Sequence, residues 1–136
     1  MSSYWKGKSV LVTGGYGFIG SHVVKLLLQE NAHVRCTSYS SLDKSRTLWF
    51  GGKPDEVVQG DLREIAFCKV ACRGMDIVIH AAAHVGGIDY NQQHPGAIFR
   101  DNTLMSSQLL EASRLADVDR MTLVSSAAID TLSADS

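Results

Sequence analysis

A doubly wound α/β sheet of about five parallel strands is the fold class the sequence predicts, and three observations predict it. Short apolar runs rich in β-branched residues alternate with stretches whose apolar residues recur at helical spacing. The first run, Val10-Leu11-Val12-Thr13, meets three glycines spaced three apart, Gly14, Gly17 and Gly20, and an amphipathic stretch follows at once. The fourth run is apolar nearly throughout, as a strand buried on both faces requires. Alternation of this kind implies parallel strands joined by right-handed crossovers, with helices on both faces.

The elements follow in order. Ser9 to Thr13 reads as a buried strand bounded by Gly7 and Gly14. Ile19, Val23, Leu26 and Leu27 fall on one helical face, with Ser21, Lys25 and Gln29 on the other. Asn31 suits a left-handed helix end, and His33 to Ser38 is the second strand. Residues 40–53 are polar apart from Leu48-Trp49-Phe50 and carry no clear element. A third strand spans 57–61, a helix 63–72 is stopped by Gly74, and a fourth, interior strand covers 76–82. Pro95 opens a long helix striped by Ile98, Met105, Leu109, Ala112 and Ala116, and a fifth strand covers 121–125.

Composition narrows the function classes. The 136 residues are 45% hydrophobic, and 13 basic against 14 acidic side chains leave a net charge of −1. That describes one domain with an ample core, without the basic stripe a nucleic-acid partner demands. No apolar run approaches a membrane span, and the first residues lack a hydrophobic signal region, so a cytoplasmic protein is expected. Cys36, Cys68 and Cys72 form an odd set without CxxC spacing. They read as reduced thiols packed in the core, and no metal site is expected.

The glycine run carries chemistry. At a strand-to-helix junction the first glycine permits a tight turn and the second lets backbone approach a pyrophosphate. The third lets the helix pack close to the strand, and the helix amino end favours an anion. Gly14, Tyr16, Gly17, Phe18, Ile19 and Gly20 are therefore the candidate phosphate-binding residues. Further polar clusters fall at predicted strand ends, where ligands of such sheets bind. Asp61, with Leu62 beside it, reads either as a helix N-cap or as the acceptor of an adenine amine. Ala81, Ala82 and Ala83 after His80 are small enough for a flat ring to lie against backbone, or for close helix packing. Ser125 and Ser126 offer a hydroxyl to polarise a carbonyl, or form a turn.

In this order and spacing the motifs resemble the extended short-chain dehydrogenase/reductase family of nucleotide-sugar epimerases, dehydratases and reductases. The matching residues are the segment from Thr13 to Gly20, Gly60-Asp61-Leu62, the run from Asp76 to Ala82, Asn102 with Leu109-Leu110-Glu111-Ala112, and Val124-Ser125-Ser126-Ala127. The resemblance covers nearly the whole chain and implies a Rossmann-type domain over residues 1–136. Ala82-Ala83-His84-Val85-Gly86-Gly87-Ile88, followed by Asn91, Pro95, Phe99 and Asn102, is similar to the GDP-fucose synthase and GDP-mannose epimerase branch. There the corresponding loop borders nicotinamide and substrate, so the resemblance implies substrate contacts at His84, Val85, Gly86 and Gly87 and a cofactor contact at Asn102. It also implies Ser126 as the catalytic hydroxyl. A GDP-sugar is favoured as substrate, and a homodimer is allowed for a full-length form. Relatives acting on steroids or flavonoids share most of the motifs.

Two departures bear on the chemistry. NAD-preferring members carry an acid at the end of the second strand, where this chain has Ser38 and Tyr39. With Arg35, Lys44 and Arg46 near in sequence, NADP(H) is favoured, NAD(H) remaining open. The family's Tyr-x-x-x-Lys pair has no counterpart, because no Tyr follows Ser126, Asp130 replaces the Tyr of the serine motif, and Tyr90 is followed four residues on by His94. The family loop often carries Lys where this chain has His84. The chain thus reads as the dinucleotide-binding front of a longer enzyme, inactive alone and without the substrate-binding part. The alternative is a non-catalytic dinucleotide sensor.

Overall fold

In the computed structural model, residues 3–40 and 52–126 are described. Nine elements follow one another: β1 (Ser9–Thr13), α1 (Phe18–Gln29), β2 (His33–Ser38), β3 (Glu56–Gln59), α2 (Ile65–Cys72), β4 (Ile77–His80), α3 (Ile88–Gln93), α4 (Pro95–Leu115) and β5 (Arg120–Leu123). All five strands are parallel, in the order β3-β2-β1-β4-β5. The order reverses between β1 and β4, which makes their carboxyl ends the switch point of a doubly wound sheet.

Alternation along β1 divides the core in two. Val10 and Val12 point to one face, packing with Val24 and Leu27 of α1, Val34 and Cys36 of β2, and Ile77 of β4. Leu11 and Val78 point to the other, packing with Cys68 and Cys72 of α2 and Leu109 and Ala112 of α4. Leu11 and Val78 are fully buried, and each such side chain contributes on the order of 2 kcal/mol by leaving water. The three cysteines are free thiols within this core, and burial pushes Cys36 and Cys68 up to about 12.

Local signals set the boundaries. Asn31 ends α1 at φ 59° and Gly74 follows α2 at φ 74°, both left-handed as their residue types predict. Pro95 sits in the first turn of α4. The Asp76 carboxylate accepts the Ser9 N–H at 2.8 Å and aligns the start of β1 with the loop before β4.

Several expectations need correction. In α1 the buried residues are Gly20, Ser21, Val24 and Leu27, whereas Ile19 and Leu26 are 56% and 61% exposed. The inward face is turned by about one residue because Gly20 packs against the Gly14 carbonyl. β3 begins one residue earlier and β5 is shorter than expected, with β5 exposed at the sheet edge. α3 was not foreseen. The expectations for Leu48-Trp49-Phe50, Lys44, Arg46, Ala127 and Asp130 lie outside the described residues.

Candidate functional site

An open cleft of about 1070 Å³ lies at the carboxyl ends of the strands. Its walls bring together Gly14, Tyr16, Gly17, Phe18, Ile19 and Gly20 after β1, Ser38 and Tyr39 after β2, and Asp61 and Leu62 after β3. Ala81, Ala82, Ala83, His84 and Val85 follow β4, Asn102 stands on α4, and Ser125 and Ser126 follow β5. Gly86 and Gly87 are not among the lining residues.

The glycines have separate tasks. Gly14 adopts φ 67°, and a Cβ there would stand 2.7 Å from the Ala82 nitrogen. The turn therefore demands glycine twice over, for its left-handed backbone and for the close passage of the 81–82 segment. Gly17 caps α1 without any side-chain hydrogen bond, in extended conformation at φ −77°. The nearest atom to a Cβ on Gly17 would be the Gly14 carbonyl oxygen at 3.2 Å. Its α-face is thus left to the cleft, at a helix amino end where a phosphate is held by backbone N–H groups and the helix dipole. These features fit a dinucleotide pyrophosphate.

A buried polar chain joins the two central strands behind this loop. Thr13 Oγ1 and His80 Nδ1 are 2.6 Å apart, His80 Nε2 reaches Ser106 Oγ at 3.2 Å, and Thr13 Oγ1 accepts the Ala82 N–H at 3.2 Å. One neutral tautomer uses every donor: the Thr13 hydroxyl donates to Nδ1 and Nε2–H donates to Ser106. Burial pushes the His80 pKa below its ordinary value.

Asp61 does not cap α2, whose N-cap is Glu64. Its carboxylate instead binds the Arg63 backbone N–H at 2.9 Å and the Arg63 guanidinium at 2.7 to 3.0 Å. The guanidinium holds the Asp61 carboxyl below its ordinary value. Leu62 is buried between the cleft and the core. Ser38 is buried and donates to the Ser40 carbonyl at 2.8 Å. Tyr39 is exposed, with the Arg63 guanidinium 5.9 Å from its ring centroid. Arg35 turns away, donating to Glu56 at 2.6 Å and to the Ala71 and Arg73 carbonyls. It therefore adds no cation to the Ser38 end, contrary to the sequence expectation.

The loop after β4 is braced rather than loose. Asn102 Oδ1 accepts the His84 N–H at 2.7 Å while its Nδ2 donates to the His84 carbonyl at 3.0 Å. The His84 ring donates from Nδ1 to Asp101 at 2.9 Å, leaving Nε2 to accept the Tyr90 hydroxyl at 3.1 Å. Gly86 donates to the Asn91 side chain at 3.0 Å. Asp101, Arg63 and Ser106 were not singled out by sequence, and Thr13 was named only as the start of the glycine-loop motif and not as a partner of His80. Their roles depend on partners 38 or more residues away for Arg63 and Thr13, and no spacing rule joins such pairs. Among the described residues no group of three His, Cys, Asp or Glu side chains could hold a metal ion.

Comparison with known proteins agrees with this geometry. The family model described as the NAD dependent epimerase/dehydratase family matches residues 10–130. The chain belongs to this family. It is 30% identical to GDP-mannose 3,5-epimerase of Arabidopsis thaliana over 128 residues, covering 93% of this chain and 33% of the relative. It is 34% identical to the 3 beta-hydroxysteroid dehydrogenase/Delta 5-->4-isomerase of Mycobacterium tuberculosis over 120 residues, covering 86% and 31%. A UDP-glucose-4-epimerase from Stenotrophomonas maltophila, solved with NAD and formylated UDP-arabinopyranose, superposes with a TM-score of 0.75 at 31% identity, covering 90% of this chain and 38% of that one. The chain spans about a third of the length of the curated relatives it matches. No helix among the described residues is long and apolar enough to cross a membrane.

Proposed function

We propose that this chain is the dinucleotide-binding part of an NAD(P)-dependent nucleotide-sugar epimerase, reductase or dehydratase. The observation that carries the reading is the cleft at the β1–β4 switch point, floored by a left-handed Gly14 and faced by the Gly17 end of α1. Gly17 and the amino end of α1 hold the pyrophosphate, Asp61 meets the adenine amine, and Tyr39 lies beside the adenosine. The flat backbone of Ala81 to Ala83 receives the nicotinamide. When bound, a nicotinamide dinucleotide would supply hydride-transfer chemistry at the sugar carbon.

The chain's own residues bind and orient. Ser126, at the cleft wall, donates a hydrogen bond to the reacting sugar oxygen, and His84 and Val85 border the sugar. A GDP-sugar is the favoured substrate, supported by the GDP-mannose 3,5-epimerase similarity over 93% of the chain. NADP(H) is placed ahead of NAD(H) because Ser38 and Tyr39 put no carboxylate at the end of β2 to repel a 2′-phosphate. The exposed Phe99 and Leu110 on α4 support pairing of two copies in a full-length form, and the three buried free thiols support a cytoplasmic setting.

Nicotinamide absorbance with GDP- and UDP-sugars, run on residues 1–136 and on a longer protein carrying a Tyr-x-x-x-Lys segment, tests the reading. The short chain binds dinucleotide without turnover, because the Tyr-x-x-x-Lys pair to which the family resemblance assigns proton transfer does not follow Ser126 in its sequence. The longer one turns over, and Ser126→Ala lowers its rate about a hundredfold. An inert longer protein that still binds dinucleotide would make the domain a sensor, and turnover by the short chain would misplace the chemistry.

A further inference from the structure

One buried carboxylate stands between the two ends of the cleft. Asp101 on α4 is only 5% exposed. Its Oδ1 accepts from Arg100 at 2.9 Å, while its Oδ2 is shared by Arg63 Nη1 at 3.2 Å and His84 Nδ1 at 2.9 Å. Arg63 also binds Asp61, through its Nε, its Nη2 and its backbone N–H. Asp61 Oδ1 takes the Arg63 backbone N–H and Nε, and Oδ2 takes Nε and Nη2, all at 2.7 to 3.0 Å.

An ionised carboxylate offers about four lone-pair sites, and Arg63 occupies them with three N–H groups in four contacts, the single Nε–H being shared by both Asp61 oxygens. A further donor arriving at Asp61, such as the exocyclic amine of a purine, therefore displaces an Arg63 N–H. The other acceptor that Arg63 already touches is Asp101 Oδ2, the same oxygen that holds the His84 ring. A closer Arg63–Asp101 contact weakens the claim of His84 Nδ1 on that oxygen. His84 then becomes freer to turn towards a group in the cleft, which this residue already lines.

We propose that Asp101 is a positioning residue coupling the purine end of the cleft to the loop that carries His84, with Arg63 as the moving part between them. The inference rests on the reading of Asp61 as the adenine contact. By linkage the coupling is reciprocal, so a ligand that engages His84 changes purine affinity by the same factor.

The test follows the His84 imidazole ¹H–¹⁵N resonances of the 136-residue chain, assigned with His84→Gln, while ADP or inosine diphosphate is added and binding is followed by calorimetry. ADP carries the exocyclic amine and inosine diphosphate lacks it. ADP shifts the His84 resonances and inosine diphosphate leaves them in place. The ADP-induced shift is lost in Arg63→Met, which keeps the apolar stem but no donors. It is lost also in Asp101→Asn, which keeps the side-chain shape and decides the matter should Arg63→Met not fold or bind. Bound ADP with unmoved His84 in the unsubstituted chain, an equal response to inosine diphosphate, or a shift surviving in both variants overturns the coupling alone. A folded chain that binds neither nucleotide overturns the dinucleotide reading, and the coupling with it.

Discussion

Thr13 at the end of β1 and His80 at the end of β4 are tied side chain to side chain at 2.6 Å, across the two strands whose ends form the switch point. Their bond sets the height of both loops that follow, because Thr13 also accepts the Ala82 N–H. Thr13→Val keeps the volume but removes the hydroxyl. It leaves one nitrogen of the buried His80 without its partner and takes the acceptor from the half-buried Ala82 N–H, at a cost of about 2 kcal/mol. Urea denaturation of the two proteins measures this, with an unchanged slope and a lower midpoint expected.

The same pair makes stability depend on pH. Burial lowers the native pKa of His80 below its ordinary value of 6.5, so between the two values the unfolded chain binds more protons than the folded one. His80's contribution is complete above about pH 6.5 and is lost as pH falls from there through the native pKa. A proton on Nδ1 also turns the Thr13 hydroxyl away from its partner. Midpoints measured from pH 7.5 to 5 fall for the unsubstituted chain, and fall less for His80→Gln.

Gly14 and Gly17 respond differently to alanine. At φ 67° and against the 81–82 backbone, Gly14→Ala costs roughly 1–3 kcal/mol from backbone strain alone, and more from the overlap. Gly17, at φ −77°, meets no left-handed strain with alanine and must accommodate only a 3.2 Å approach to the Gly14 carbonyl oxygen. It therefore loses less stability than Gly14→Ala but loses dinucleotide affinity, because the methyl crowds the approach to the pyrophosphate. Thermal melts and binding titrations of both variants separate the two roles.

The sheet was legible because parallel strands buried on both faces must be apolar runs. Helix ends were legible at Asn31 and Gly74 because left-handed backbone restricts residue type. The inward face of α1 was misread at Ile19 and Leu26, since close packing of Gly20 on Gly14 turns small residues such as Ser21 inward. α3 is six residues without a periodic apolar face, too short for a 3.6-residue pattern to register. The glycine loop, Asp61 and His84 could be singled out at strand ends. The carboxylate that joins the last two, Asp101, could not, because its partners Arg63 and His84 lie 38 and 17 residues away and meet it only after α4 packs over α2.

Cofactor choice turns on the end of β2. Ser38→Asp places a carboxylate in a buried position beside the expected ribose and repels a 2′-phosphate, moving preference from NADP(H) towards NAD(H) by about tenfold or more. Dissociation constants for both dinucleotides, before and after the change, give the shift. A preference for NAD(H) in the unsubstituted chain would remove the 2′-phosphate reading.

Calorimetric titration of NADPH and NADH into the 136-residue chain and into Gly17→Val tests the central claim most directly. Valine can adopt the extended backbone of Gly17, but its Cβ stands 3.2 Å from the Gly14 carbonyl oxygen. Circular dichroism therefore first checks that the variant is folded, and the comparison then isolates the phosphate loop. Saturable binding of one dinucleotide per chain, lost in folded Gly17→Val, is the result expected. Absence of binding to the folded chain, or equal affinity in Gly17→Val, would contradict a dinucleotide site at the β1–β4 switch point.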